Sequence, residues 1–359
     1  MTDIIIIGGG VAGISVAARL APHATVTVLE TEDALAYHAS GRSAAMFIPD
    51  YGNATVKALN AASADHHHHA DGGVLSERGL MLLGRSGQAD TFREEAADLG
   101  LSEITLDEAA ALWPILNPDT VAHAAYRPDA HDLDTDLLIQ NFARAARGHG
   151  AQIVTRAPVT AIARESGGRW RVTAGGQDHV AGIIVNAAGA WADDIAAMAG
   201  VAPLGITPYR RSMARIAAPG GLDTSGWPFV DAVGESWYAK PDAGALIVSP
   251  SEEDPADPHD AWADDMVLAE GLARYEEMVT HPVTRMLANW AGLRSFAPDR
   301  TLVIGPDPHV PGFHWLAGQG GYGFQTAPAA GQLAADLVTG AAPELDAATV
   351  TALSPARFA

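Results

Sequence analysis

The chain has 359 residues, 48% of them hydrophobic and 18% charged, which is enough for a large core and a two-domain globular protein. Its net charge of −21 disfavours nucleic acid and anionic membrane surfaces as partners, because both require basic patches. The absence of cysteine excludes disulfides, thiolate nucleophiles and zinc–thiolate sites.

The first residues carry the strongest local signal. Ile4-Ile5-Ile6-Ile7 predicts a buried strand that runs into Gly8-x-Gly10-x-x-Gly13 and then an alanine-rich helix to Leu20. In that turn Gly8 allows the tight bend, Gly10 lets backbone approach a pyrophosphate, and Gly13 lets the helix pack on the strand. Val11 and Ala12, at the helix start, offer N–H groups to the same anion. A second strand over 25–29 ends at Glu30, where a carboxylate binds ribose hydroxyls, so FAD or NAD is favoured over NADP. The chain enters this strand without a charged leader or cleavage site. No apolar stretch approaches the roughly 18 residues of a membrane span, and a cytoplasmic protein is expected.

Farther along, Gly41-Arg42-Ser43-Ala44-Ala45 suits a loop or helix start against a cofactor, with Arg42 near phosphate or an adenine edge. The pattern over 53–71 is helical and includes His66 to His69. Four consecutive histidines point all round a helix and cannot serve one metal. They are expected as an exposed polar turn, and no metal site is expected. A short strand is predicted over 80–83, with helices over 88–99 and 107–112, the latter capped by Asp107. A long helix follows over 134–148, acidic at its start and basic at its end, as the macrodipole favours. Strands are predicted over 152–156, 159–165 and 169–174, the last two joined by Gly167-Gly168.

The run 182–189 predicts a second buried strand feeding a helix over 191–199. It repeats the opening logic and places Ala188, Gly189 and Trp191 at the cofactor. Residues 204–217 and 227–250 read as strands of an antiparallel sheet, followed by a helix over 261–279. Strands over 302–305 and 313–317, a turn over 318–323 and a helix over 326–338 close the chain. The expected architecture is α/β (α+β overall). A Rossmann-like nucleotide-binding domain over 1–50, 140–203 and 297–359 is expected, interleaved with a mainly antiparallel second domain over 51–139 and 204–296.

Taken together, the fingerprint with Glu30, the Arg42 loop, Val185-Asn186-Ala187-Ala188-Gly189-Ala190-Trp191, Arg210-Arg211-Ser212, Glu235-Ser236-Trp237-Tyr238-x-Lys240-Pro241-Asp242, Trp290-Ala291-Gly292-Leu293-Arg294-Ser295-Phe296 and Gly318-Gln319-Gly320-Gly321-Tyr322-Gly323 resemble the D-amino-acid oxidase superfamily of FAD-dependent oxidoreductases. Within it the chain is most similar to D-amino-acid dehydrogenases of the D-arginine dehydrogenase type. The resemblance implies FAD between the two domains, held without a cysteine thioether. It implies oxidative deamination of D-amino acids by hydride transfer from Cα to flavin N5, with electrons passed to a quinone-like or protein acceptor. A glycine- or sarcosine-type oxidase using O2, and a non-catalytic flavin-binding subunit, are the alternatives.

Such chemistry asks the protein to clamp a carboxylate, hold an amine and stabilise charge on the reduced cofactor. An arginine fork suits the carboxylate, and the resemblance places Arg211 and Arg294 at the substrate. Arg210 is the alternative to Arg211, since neighbours on a strand point to opposite faces. Tyr238 and Tyr51 supply phenolic hydrogen bonds, and the Gly292 carbonyl suits the amine. Gly320, Gly321, Tyr322, Gly323, Gln325 and Thr326 are expected at the reacting end of the cofactor, with Tyr322 also lining the cleft. For the substrate side chain, the D-arginine type carries a histidine where Met46 aligns and a glutamate where Leu80 aligns. With Ile48 beside them, this pocket is expected to prefer neutral or hydrophobic side chains.

Overall fold

A computed structural model describes residues 2–359. The opening strand Ile4–Ile7 sits inside a six-stranded sheet ordered Val303–Pro306, Phe313–Ala317, Ile183–Asn186, Ile4–Ile7, Val26–Leu29, Gln152–Val154. Ile4 pairs with both Ile183 and Val26, and Ile7 with Asn186 and Leu29, all in parallel. Only the edge strand Val303–Pro306 runs antiparallel to its neighbour. A parallel sheet is covered on both faces, and the unbroken isoleucine run follows from that. Ile4 and Ile6 pack with the helices Val11–Leu20, Thr135–Gly148 and Gly323–Thr339, while Ile5 and Ile7 pack with Trp170, Phe313 and Trp315.

The turn after the first strand is as tight as its glycines predict. A Cβ on Gly13 would lie 1.9 Å from the Gly8 carbonyl oxygen, so only glycine lets the helix start this close to the strand.

The second sheet is mainly antiparallel, with nine strands. Its long ladder joins Thr207–Ala217 to Met286–Phe296, placing Arg211 opposite Gly292 and Tyr209 opposite Arg294. Arg211 and Arg294 therefore sit two residues apart along the ladder and share a face, whereas Arg210, opposite Leu293, faces the other way. The neighbouring register sets Asp231 against Tyr238 and, in the parallel direction, Phe229 against Leu80. This sheet has its own core around Trp113, Trp227, Trp237 and Tyr275.

Several local expectations are corrected. The helix Leu106–Leu112 is capped by Thr105, not Asp107: Thr105 accepts from the Glu108 N–H while Glu108 accepts from the Thr105 N–H. The helix expected over 261–279 is Asp265–Glu276, because the Asp264 side chain accepts the N–H groups of Met266 and Val267 and starts it there. A third strand, Gln177–Ala181, extends the hairpin after Trp170–Ala174; its polar residues carry no strand pattern.

The histidine run is not an exposed turn. It is the end of the helix Ala54–His69, and His67 is fully buried, donating Nε2–H to the Gln325 carbonyl at 2.9 Å. His66 stacks on Phe142, so only His68 and His69 face solvent. Among the described residues no helix is long and apolar enough to cross a membrane.

Candidate active site

A continuous cavity of about 1070 Å³ runs between the two sheets. One end is formed by Gly8, Gly9, Gly10, Val11, Ala12 and Glu30, and the other by Leu80, Arg211, Phe229 and Tyr238. The helices Val11–Leu20 and Gly323–Thr339 both start in its wall, and neither has a side-chain cap at its first residue, Gly10 or Tyr322. Unpaired N–H groups and the positive ends of two helix dipoles are thus offered to one space. The Val11 N–H is the exception, bonded to Ser40 Oγ at 3.0 Å. Glu30 is oriented from behind: its carboxylate accepts the Gly9 N–H at 2.6 Å and the Glu32 N–H at 2.8 Å. Gln325, a cavity-wall residue, keeps a buried amide nitrogen without a partner.

Ser43, Ala44, Ala45, Met46, Ile48, Ala188, Gly189 and Trp191 also line the cavity. The strap 44–45 is fastened by Lys240, whose ammonium donates to the Ala44 and Ala45 carbonyls at 2.5 and 3.3 Å and pairs with Asp132 at 2.9 Å. Arg42 reaches the wall but spends its guanidinium elsewhere. It donates to the Ala261 and Ala291 carbonyls and pairs with Asp260, so it ties the short turn Ala39–Arg42 to the strand Met286–Phe296 and leaves little for phosphate or adenine. Gly13, Tyr322 and Thr326 are not in the wall. Gly13 serves the strand–helix contact, Tyr322 precedes the last long helix without a side-chain cap bond, and Thr326 is buried with its hydroxyl on the Tyr322 carbonyl.

At the far end, Arg211 is 5% exposed. Its Nε donates to the Glu252 carbonyl at 3.0 Å, and its Nη2 has no hydrogen-bond partner. Arg210 lies outside the cavity wall, paired with Asp254 at 2.9 Å, whereas Arg211 is in it. Arg294 is in the wall and pairs with Glu253. Tyr238 stacks on Phe229 and gives its hydroxyl to Met213 Sδ at 3.2 Å. Tyr51 lines the cavity edge-on to Tyr322, with ring centroids 5.2 Å apart. Burial raises both phenols above their usual range and keeps them neutral donors. Gly292 is in the wall beside Arg42, and Gly320 must be glycine because a Cβ there would lie 2.2 Å from the Phe296 ring.

Ile48, Leu80 and Phe229 form an apolar cluster in the cavity wall, with Met46 packed against them. Two acids given no role in the sequence reading also line the cavity, Asp231 and Glu235. Burial, followed by the nearby Glu235 charge, pushes the Asp231 carboxyl well above its ordinary range, toward the protonated form. The available signal was alternation: Asp231 shares a strand face with Phe229, a carboxyl on an inward position. Glu253 was missed because it lies in a loop after the strand Ala245–Ser249, where no periodicity applies.

Comparison with known proteins decides the family. The profile of the FAD dependent oxidoreductase (DAO) family matches residues 3–337. The chain belongs to that family, and FAD is its cofactor. It is 26% identical to a glycine oxidase of Geobacillus kaustophilus, across 94% of this chain and 92% of the relative. It is also 26% identical to a glycine oxidase of Pseudomonas putida, across 96% and 97%. The fold resembles that of an L-proline dehydrogenase from P. horikoshii, with a TM-score of 0.85 and 23% identity over 99% of this chain and 97% of that one. The orphaned Gln325 amide and the uncapped helix starts in the cavity wall suit FAD.

Proposed function

We propose that this DAO-family chain oxidises the C–N bond of an amino acid with a neutral or hydrophobic side chain to the imino acid. The observation carrying this reading is the Arg211 guanidinium, buried to 5% exposure with Nη2 unbonded at the edge of an apolar pocket. A buried cation with an open donor calls for an anion, and a planar fork meets a carboxylate best.

In this reading the N–H groups of Gly10 and Ala12 at the helix start would hold the FAD pyrophosphate, and Glu30 would hold its ribose. Ala188, Gly189, Trp191 and residues 43–45 would help to hold the cofactor, while Gly320, Gly321, Gly323 and Gln325 would serve its reacting end. The bound cofactor supplies the oxidising capacity, accepting the hydride from Cα. The chain's own residues do the rest. Arg211 orients the carboxylate, with Arg294 reinforcing the positive potential; Tyr51 donates a hydrogen bond, and Tyr238 does so on releasing its bond to Met213 Sδ. The Gly292 carbonyl receives the amine. The half-buried Asp231 carboxyl lies across the ladder from Tyr238, on the same face as the clamp. Its shift toward the neutral form removes one charge from that wall, leaving the exposed Glu235 as the nearby carboxylate.

The D configuration and a quinone-like or protein acceptor are carried over from the D-amino-acid dehydrogenase resemblance, and the division into a discontinuous FAD domain and a substrate domain follows the two sheets. A second reading, oxidation of glycine or sarcosine with O2, draws on the two glycine oxidase relatives. Anaerobic stopped-flow reduction of the flavin by D- and L-amino acids, glycine and sarcosine tests both. D-Leucine or D-methionine is expected to outpace D-arginine, and a clear preference for D-arginine refutes the pocket argument. Hydrogen peroxide release during aerobic turnover marks the oxidase.

A further inference from the structure

The strand Phe229–Ala232 turns alternate residues to opposite sides. Val230 and Ala232 pack into the core around Trp113 and Trp237, while Phe229 and Asp231 line the cavity. Around Asp231 the neighbouring strands offer an aromatic and an aliphatic side chain: Tyr238 is its partner on one side and the buried Leu82 on the other. A carboxyl in such a wall is costly unless something meets it. The protein meets it once, through the Ala232 N–H, which donates to Oδ1 at 3.0 Å and leaves Oδ2 for a ligand.

Two carboxylates stand near this group. Glu95, from the helix Ala89–Asp98, accepts the Gly234 N–H at 3.0 and 3.2 Å, which holds it beside the end of the Asp231 strand. Glu235 follows directly and lines the cavity with it. Burial first, and then the Glu235 and Glu95 charges, oppose ionisation of Asp231 against the Ala232 N–H and Arg211, which favour it. A neutral carboxyl carries an O–H donor and keeps its acceptors. Its place along the site is set by the strands. The Tyr238 ring centroid is 5.9 Å from the Arg211 guanidinium carbon, and Asp231 sits on the next strand beyond, roughly 5 Å farther. An amino acid whose carboxylate is at Arg211 can therefore extend its side chain past Tyr238 to Asp231.

Resting on the reading that the cavity takes an amino acid, we propose that Asp231 is a specificity-determining residue that hydrogen-bonds the tip of the substrate side chain, selecting a neutral carboxamide over an apolar tip of the same shape. A carboxamide presents a carbonyl and an N–H2 group, the complement of the O–H and carbonyl of a neutral carboxyl. Its stem still packs against Ile48, Leu80 and Phe229. An apolar tip of equal size fits the same space but leaves the Asp231 carboxyl desolvated and unmatched, and that loss is what discriminates. A cationic tip would instead call on Asp231 as an anion, a difference that the test separates.

The test is anaerobic reduction of the flavin-loaded protein by asparagine and leucine, which share a shape, by glutamine and methionine, which share a length, and by arginine, each in both hands. In at least one pair the wild type is expected to be reduced by the amide about tenfold faster, as a second-order rate constant, than by its apolar partner. Asp231→Leu is expected to bring that ratio to about one or below. Asp231→Asn, which keeps the hydrogen-bonding groups, is expected to hold it within about threefold of the wild type. A merely structural role would move all substrates together and leave the ratio unaltered. Wild-type ratios below about threefold in both pairs, or a ratio equal in the wild type and Asp231→Leu, overturn the proposal. So does a wild-type preference for arginine that Asp231→Asn abolishes, since the carboxyl then works as an anion. Should Asp231→Leu fail to retain flavin, the wild-type ratio and its persistence in Asp231→Asn decide. Each of these outcomes leaves oxidation of an amino acid standing. Reduction by none of these amino acids, in either hand, overturns that reading and this proposal together.

Discussion

His67 links the acid stability of this protein to its cofactor site. The imidazole donates from Nε2 to the Gln325 carbonyl, in the first turn of the helix that opens on the cavity, while its Nδ1 is buried without a partner. Protonation would place a charge on that orphaned nitrogen. Burial above all therefore pushes the group down from the ordinary 6.5 to about 4. His314, also buried with an unpartnered Nδ1, is pushed to about 4 by burial alone. In the unfolded chain both titrate near 6.5. Below that pH the unfolded state binds protons that the native state refuses, so the contribution is complete above pH 6.5 and is lost as pH falls toward 4. At pH 5 each histidine costs about 2 kcal/mol, and the two together about 4 kcal/mol. That is a large fraction of the roughly 5–15 kcal/mol of a typical domain. His67→Gln keeps a side-chain N–H for the Gln325 carbonyl but cannot titrate. Urea unfolding at pH 7.5 and pH 5.0 should show a stability loss about 2 kcal/mol smaller in the variant, with flavin retained to a lower pH. Equal losses in the two proteins would refute the argument, because every other titrating group is common to both.

Two further substitutions probe the frame of the site. Gly13→Ala puts a Cβ 1.9 Å from a backbone oxygen that cannot rotate away, so a loss of about 3 kcal/mol or more is expected, seen as a lowered thermal midpoint and a flavin-poor preparation. Lys240→Met removes the tie to the Ala44 and Ala45 carbonyls and leaves Asp132 with Arg78 as its remaining cation. A loss of about 2–4 kcal/mol is expected in denaturant unfolding, together with weaker flavin binding measured by ultrafiltration.

The parts of this protein legible in the sequence are those whose cause is local. The isoleucine run, the three glycines and Glu30 declare a strand, a turn and a strand end within thirty residues, and the fold places them so. Arg211 and Arg294 are legible as chemistry, but their shared face is set by a ladder register between strands about eighty residues apart, which no single-strand pattern contains. His67 was misjudged because burial is a tertiary fact: the run His66 to His69 is polar in composition, yet the last long helix packs over one of its members. Asp231 and Glu253 are two among 43 acids, and only their neighbours distinguish them.

The order of strands in the parallel sheet also governs how the chain is made. The opening strand is paired with Ile183–Asn186 on one side, and that partner is bordered in turn by Phe313–Ala317. On a ribosome adding about 5–20 residues per second, Ile4–Ile7 waits on the order of ten to thirty seconds for its central neighbour. Throughout that interval four isoleucines and an unpaired backbone edge are exposed together, the combination that most readily recruits another nascent chain. The nucleotide site is therefore encoded first and completed last, and the yield of active protein depends on how well the early strand is shielded until its partners emerge.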